Sequence, residues 1–140
     1  MAFTFLAPYE TYLRSLIRIM AAFTFTQHGV QKTFGWLGGM DGHGATAPNA
    51  ILTVAGLLET IGGPLILLGL FTRPVAFLLS GEMAVGYFRT HAPRNFWPVI
   101  NGGEITVFYC FFFLWLASAD PGVWSLDHLL FRKKSQGITR

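Results

Sequence analysis

The sequence predicts an all-α fold, an integral membrane four-helix bundle followed by a short C-terminal surface helix. Three observations lead there. Hydrophobic residues make up 52% of the 140 and charged residues only 12%, whereas a soluble domain is roughly 25% charged. The mean hydropathy is +0.47. Four apolar stretches approach the ~20 residues that a helix needs to cross ~30 Å of hydrocarbon. The length suits one domain, so residues 1–140 read as a single four-span unit.

The first span runs from about Tyr12 to Phe34 (12–34) and is the most polar. The second covers 49–71 and the third 74–91. The fourth, 98–118, holds the most apolar run of the chain at Phe108–Ala117. Turn signals separate them: the Gly-rich 35–48 with Asp41 and His43, the stop at Thr72–Pro74, and Ala92–Asn95 with its proline. Pro74 and Pro98 suit the first turn of a helix, where a missing N–H leaves nothing unsatisfied. The alternation of a membrane β-barrel is absent. After the fourth span, Val123–Phe131 reads as a short amphipathic helix at the surface.

Four spans put both termini and the loop between spans two and three on one side. That side carries Arg14, Arg18, Arg73, Arg132, Lys133, Lys134 and Arg140, against Lys32, Arg89 and Arg94 on the other. The positive-inside rule then places both termini in the cytoplasm. Arg18, within the first span, reaches the interface only by snorkelling. Arg14 and Arg18 follow the apolar Met1–Ala7, the wrong order for a cleavable signal.

Several classes of function drop out. One cysteine, Cys110, allows no intrachain disulfide, no paired redox cysteines and no thiolate zinc cluster. The sequence pI is near 9.4, yet no stretch gathers enough Lys and Arg for a nucleic-acid face. Nucleotide-binding and hydrolase motifs are absent. His28 with the span carboxylates is an N/O ligand set, but no Glu-x-x-His or His-x-x-x-His pair shares a helix, so no metal site is expected.

What stands out is charge where charge is expensive. A charged side chain at the centre of a spanning helix costs ~2.5–3.5 kcal/mol on insertion scales. Glu59, Glu82 and Glu104 lie inside spans, and His28 and Lys32 late in the first. At ~1.5 Å rise per residue, Glu59, Glu82, Glu104 and His28 all fall between the midplane and the outer face. Four helices packed with these groups inward enclose a polar cavity opening outward, near Lys32, Arg89, His91 and Arg94. The alternative is that they are packing pairs between helices with no ligand. His43, His91 and His128 lie near loops or in the C-terminal segment and read as solvated.

The pattern resembles the DoxX family of small bacterial membrane proteins. The matching pieces are His28-Gly29 with Lys32, Glu59 with Gly62-Gly63, the stretch Leu67–Pro74, and Asn101-Gly102-Gly103-Glu104, in order over roughly residues 14–120. The resemblance implies a four-helix bundle in the bacterial cytoplasmic (inner) membrane, similar to the small membrane subunit of thiosulfate:quinone oxidoreductase. It carries His28, Lys32, Glu59 and Glu104 over as ligand-binding candidates; Glu82 lies outside the matching motifs and rests on the depth argument.

Two functional readings follow. In the first, the chain is an accessory or anchoring subunit of a membrane redox assembly. It contacts the lipid bilayer and a protein partner, and its cavity takes a quinone or another small molecule; it is not catalytic alone. In the second, it is a small proton-coupled binding or transport protein working as a homo-oligomer.

Overall fold

Capping chemistry sets the ends of the helices. The computed structural model describes residues 4–40 and 49–135, with side chains as far as Phe131. After one 3-10 turn at Ala7–Tyr9, helix α1 runs Glu10–Phe34. It stops where Gly35 turns left-handed (φ 67°) and donates its N–H to the Gln31 carbonyl at 3.1 Å, a conformation cheap only for glycine. Helix α2 (Ala50–Leu68) begins at Asn49, whose side-chain oxygen accepts the Ile51 N–H at 3.0 Å. It continues through Pro64 and ends at Gly69 (φ 67°). There the N–H groups of Gly69 and Leu70 donate to the carbonyls of Ile66 (3.0 Å) and Leu65 (2.9 Å). These two hydrogen bonds form the Schellman closure. Helix α3 (Thr72–Gly86) passes directly into a π-helical segment, Tyr87–His91. A single turn α4 (Pro98–Asn101), helix α5 (Glu104–Ser118) and helix α6 (Leu126–Ser135) complete the order. Among the described residues the architecture is all-helical.

The chain divides into two compact units, Met1–Thr72 with Asp120–Arg140, and Arg73–Ala119. In the first, α1 packs on α2. The buried residues of α1 are Ser15, Arg18, Ala22, Phe25 and Gly29, spaced alternately by three and four, as a seam against one partner helix requires. Facing them, α2 buries Gly56, Glu59, Gly62, Gly63 and Ile66. A Cβ on Gly29 would stand 2.5 Å from the Thr60 nitrogen, and one on Gly63 would overlap the Thr26 hydroxyl. Small residues are therefore what let the two backbones approach.

In the second unit, α3 buries Ala76, Leu79, Ser80 and Met83, and α5 buries Tyr109, Phe113 and Leu116. The Ser80 hydroxyl donates to the Cys110 carbonyl at 2.8 Å, linking the helices. Outward-facing Phe77, Phe88, Phe108 and Phe111 are all more than half exposed. So many large apolar side chains at the surface suit contact with lipid rather than water.

Three expectations change. The fourth apolar stretch is not one helix: it breaks at Gly102 (φ 72°) and Gly103, whose N–H donates to the Asn101 side-chain oxygen at 2.7 Å. Hydropathy averages over such a break, because the apolar residues on both sides keep the mean high. Only α2 is both long and apolar enough to count as a span among the described residues; α5 is apolar but has 15 residues, ~22 Å of helix. The described residues thus give an all-helical fold with one clear span candidate. The second change concerns Arg18, which does not snorkel but is fully buried. The third is His91, half-buried and hydrogen-bonded rather than solvated. Asp41 and His43 lie outside the described residues.

Candidate functional site

Lys32 sits in the last turn of α1 and Glu59 in the middle of α2, and the two form an ion pair. The local sequence makes this approach possible. Gly56 lies one turn before Glu59, and a Cβ there would meet the Thr33 hydroxyl and stand 3.1 Å from Lys32 Cβ. Glycine at that position leaves room for the lysine stem to lie along α2 until its ammonium meets the carboxylate. Beside the pair, the hydroxyls of Thr33 and Thr60 are 3.1 Å apart. The pair is asymmetric in its access: Glu59 is 1% exposed, the Lys32 side chain 18%. Either charge alone would bear the full cost of desolvation; together each compensates the other.

The other expected site residues distribute as follows. His28 belongs to the same unit as the pair but lies on an exposed face of α1. Glu82 and Glu104 belong to the second unit. Glu82, on α3, has both carboxylate oxygens sealed from the surface. Glu104 is the first residue of α5 and is exposed. Among the described residues no group of three or more His, Cys, Asp or Glu is arranged to hold a metal ion.

Two polar centres went unread in the sequence. The first is Arg18. Its Nε donates to the Pro121 carbonyl at 2.9 Å, its Nη1 to the carbonyls of Ile66 and Leu67, and its Nη2 to that of Trp124. Ile66 and Leu67 lie in the last turn of α2, where helix carbonyls carry partial negative charge. A planar guanidinium can serve several fixed carbonyls at once, which an ammonium cannot do with the same geometry. A signal was present: Ser15, Ala22 and Gly29 recur every seven residues, and so do Arg18, Phe25 and Lys32. Arg18 is therefore in phase with the buried seam.

The second unread centre joins the π segment to the helix break. The Tyr87 hydroxyl donates to the Phe96 carbonyl, and the Asn101 amide donates to the Tyr87 oxygen (3.2 Å) and the Asn95 carbonyl (2.6 Å). The Asn101 carbonyl can only accept, so His91 Nδ1 carries the proton in that 3.2 Å contact. Nε2 is then free to accept from the Thr106 hydroxyl at 3.4 Å. A π segment within a helix often marks a functional position, and periodicity in the sequence does not reveal one.

With this geometry in place, the chain can be set beside known proteins. A family model described as DoxX matches residues 13–92, more than half the chain. The chain belongs to the DoxX family. It is therefore a membrane protein, and its Lys32–Glu59 pair falls inside the family match, whereas Asn101–Glu104 falls beyond it. A relative from Haemophilus influenzae, described as an uncharacterized protein, is 37% identical over 131 residues, covering 91% of this chain and 98% of the relative. No solved structure matches the chain.

Proposed function

We propose that this DoxX-family protein is an accessory or anchoring subunit of a membrane redox assembly. In this reading it is a single domain that crosses the bacterial inner membrane four times, with both termini cytoplasmic. Lys32 and Glu59, with His28 of the same unit, form an outward-opening polar site for a quinone or another small molecule, and Glu82 and Glu104 of the second unit are further ligand-binding candidates. The observation that carries the reading is the Lys32–Glu59 ion pair on the small-residue seam of α1 and α2. Such a seam packs well without charge, and an apolar pair of similar volume would often be as stable. A charge pair retained at this position is best accounted for by chemistry. The ammonium can donate to a carbonyl oxygen and the carboxylate can accept a proton from a hydroxyl, the two groups that a quinone and its quinol present. Electrons come from a partner protein.

One observation favours a second reading, a proton-coupled binding or transport protein working as an oligomer. The fourth stretch is interrupted at Gly102–Gly103 and resumes with Glu104. Interrupted helices are where transporters expose backbone groups to ions and substrates.

Native mass spectrometry of the protein extracted in mild detergent tests both readings. The first expects a small bound mass that disappears in Lys32→Met and Glu59→Gln while a co-purifying protein remains. A bound mass indifferent to both substitutions removes the assigned site. An oligomer with no partner protein, whose proteoliposomes carry a proton flux lost in Glu59→Gln, supports the second reading instead.

A further inference from the structure

The first turn of α6 is tied to the rest of its unit more tightly than a terminal helix needs to be. Its approach, residues 121–124, is held through the Pro121 and Trp124 carbonyls on Arg18. The Trp124 N–H donates to the Ser15 hydroxyl at 3.2 Å, and the Ser125 hydroxyl accepts the His128 N–H at 3.1 Å. The Asp127 N–H donates to the Gly69 carbonyl at 2.8 Å. The two Asp127 carboxylate oxygens accept the N–H groups of Phe71 and Thr72, each at 2.8 Å. The orientation in which α6 leaves the α1–α2 pair is therefore set by backbone groups at the end of α2.

Beyond this anchor the helix changes character. Leu129, Leu130 and Phe131 are 61%, 56% and 54% exposed, and the next three residues in sequence are Arg132, Lys133 and Lys134. The one acid of α6 is Asp127, and its carboxylate is directed onto Phe71 and Thr72, so the distal part of the helix carries only positive charge. Immediately before the helix, Trp124 and Tyr12 meet edge to face with ring centroids 5.7 Å apart, both about half exposed. Amphipathic aromatic rings of this kind settle at the headgroup level of a bilayer.

We infer that α6 is an interfacial helix that binds anionic phospholipids, Leu129, Leu130 and Phe131 entering the acyl boundary and Arg132, Lys133 and Lys134 drawing the headgroup phosphates. The Tyr12–Trp124 pair sets its depth and the Asp127 anchor its direction. At that depth the adjoining surface is the leaflet itself, and its anionic lipids complement the basic run.

Amide hydrogen exchange of the full-length protein in nanodiscs tests this, comparing phosphatidylcholine alone with phosphatidylcholine containing phosphatidylglycerol. Exchange at residues 128–135 is expected to slow in the anionic discs by about fivefold per cation, on the order of a hundredfold for all three. High salt diminishes the effect. The variant Arg132→Gln/Lys133→Gln/Lys134→Gln loses it, while α1 and α2 amides stay protected, which shows that the fold is intact. Leu130→Ser/Phe131→Ser speeds exchange in both kinds of disc. Equal exchange in the two lipids overturns the inference, as does lipid-dependent protection that survives in the triple variant. Protection that instead follows protein concentration assigns the face to a second copy, and protection that needs an added protein assigns it to a partner; both results overturn lipid binding.

Discussion

Arg18 and Lys32 stand two heptads apart on the same seam of α1, and α2 meets each of them differently. Arg18 is surrounded by backbone: four carbonyls from the end of α2 and from residues 121–124 take its donors. Among the described residues, Lys32 is met by a side chain, the Glu59 carboxylate. Carbonyls neither titrate nor exchange their position in the fold, so the Arg18 end is a structural joint that ties the C-terminal segment to the α1–α2 pair. The Lys32 contact is made by two side chains, which can rearrange without moving the backbone. One end of the seam is thus a joint of backbone hydrogen bonds and the other an ion pair of two side chains.

The sharpest way to break this contrast is at Arg18. Arg18→Met is expected to cost on the order of 3–5 kcal/mol in denaturant unfolding in micelles, because buried carboxyl-terminal carbonyls of α2 lose their donor. Arg18→Lys recovers little, since a point charge cannot reach several fixed carbonyls. A loss below ~1 kcal/mol would place the joint elsewhere.

The Lys32 end should differ in being recoverable by a second substitution. Lys32→Met alone leaves the Glu59 carboxylate buried and is expected to cost ~2–4 kcal/mol. Adding Glu59→Leu returns most of that stability but not the bound mass. Strictly additive losses in the double variant would show that the pair is not a unit.

The seam between the two ends gives a smaller effect. Gly63→Ala is expected to lower the unfolding free energy by ~1–3 kcal/mol through the clash with Thr26. Gly81→Ala, on α3 with open space around its Cβ position, should be neutral or stabilising by up to ~1 kcal/mol. Among the destabilising changes the smallest is Asp127→Ala, at about 1 kcal/mol for the lost acceptor of two N–H groups. Its readout is faster exchange in α6 with α1 and α2 unchanged.

Much of the helical architecture was legible because its causes are local. The apolar runs and the Gly-rich stretch that opens at Gly35 act within a few residues of the boundaries they set, whereas the stop at Gly69 was passed over because apolar residues flank it. The family motifs are local as well, and their His28, Lys32 and Glu59 fall inside the matched region. The break at Gly102–Gly103 was less legible. Two glycines after an asparagine signal a turn, but the apolar residues on either side outweigh them in any average over the stretch.

By itself the sequence determined that the chain is helical and apolar and that α1 ends at Phe34, but it ran the second stretch on to residue 71, past the Gly69 stop, and left Arg18 at the interface. Only the tertiary structure decided which of the charges in the apolar stretches meet. Three carboxylates were available to Lys32, and the close approach permitted by Gly56 selected Glu59. The partners of Arg18 were further out of reach, since they are main-chain carbonyls at residues 66, 67, 121 and 124. Every residue carries a carbonyl, so a bond to one leaves no mark in residue type and exists only once the fold has brought the backbone there.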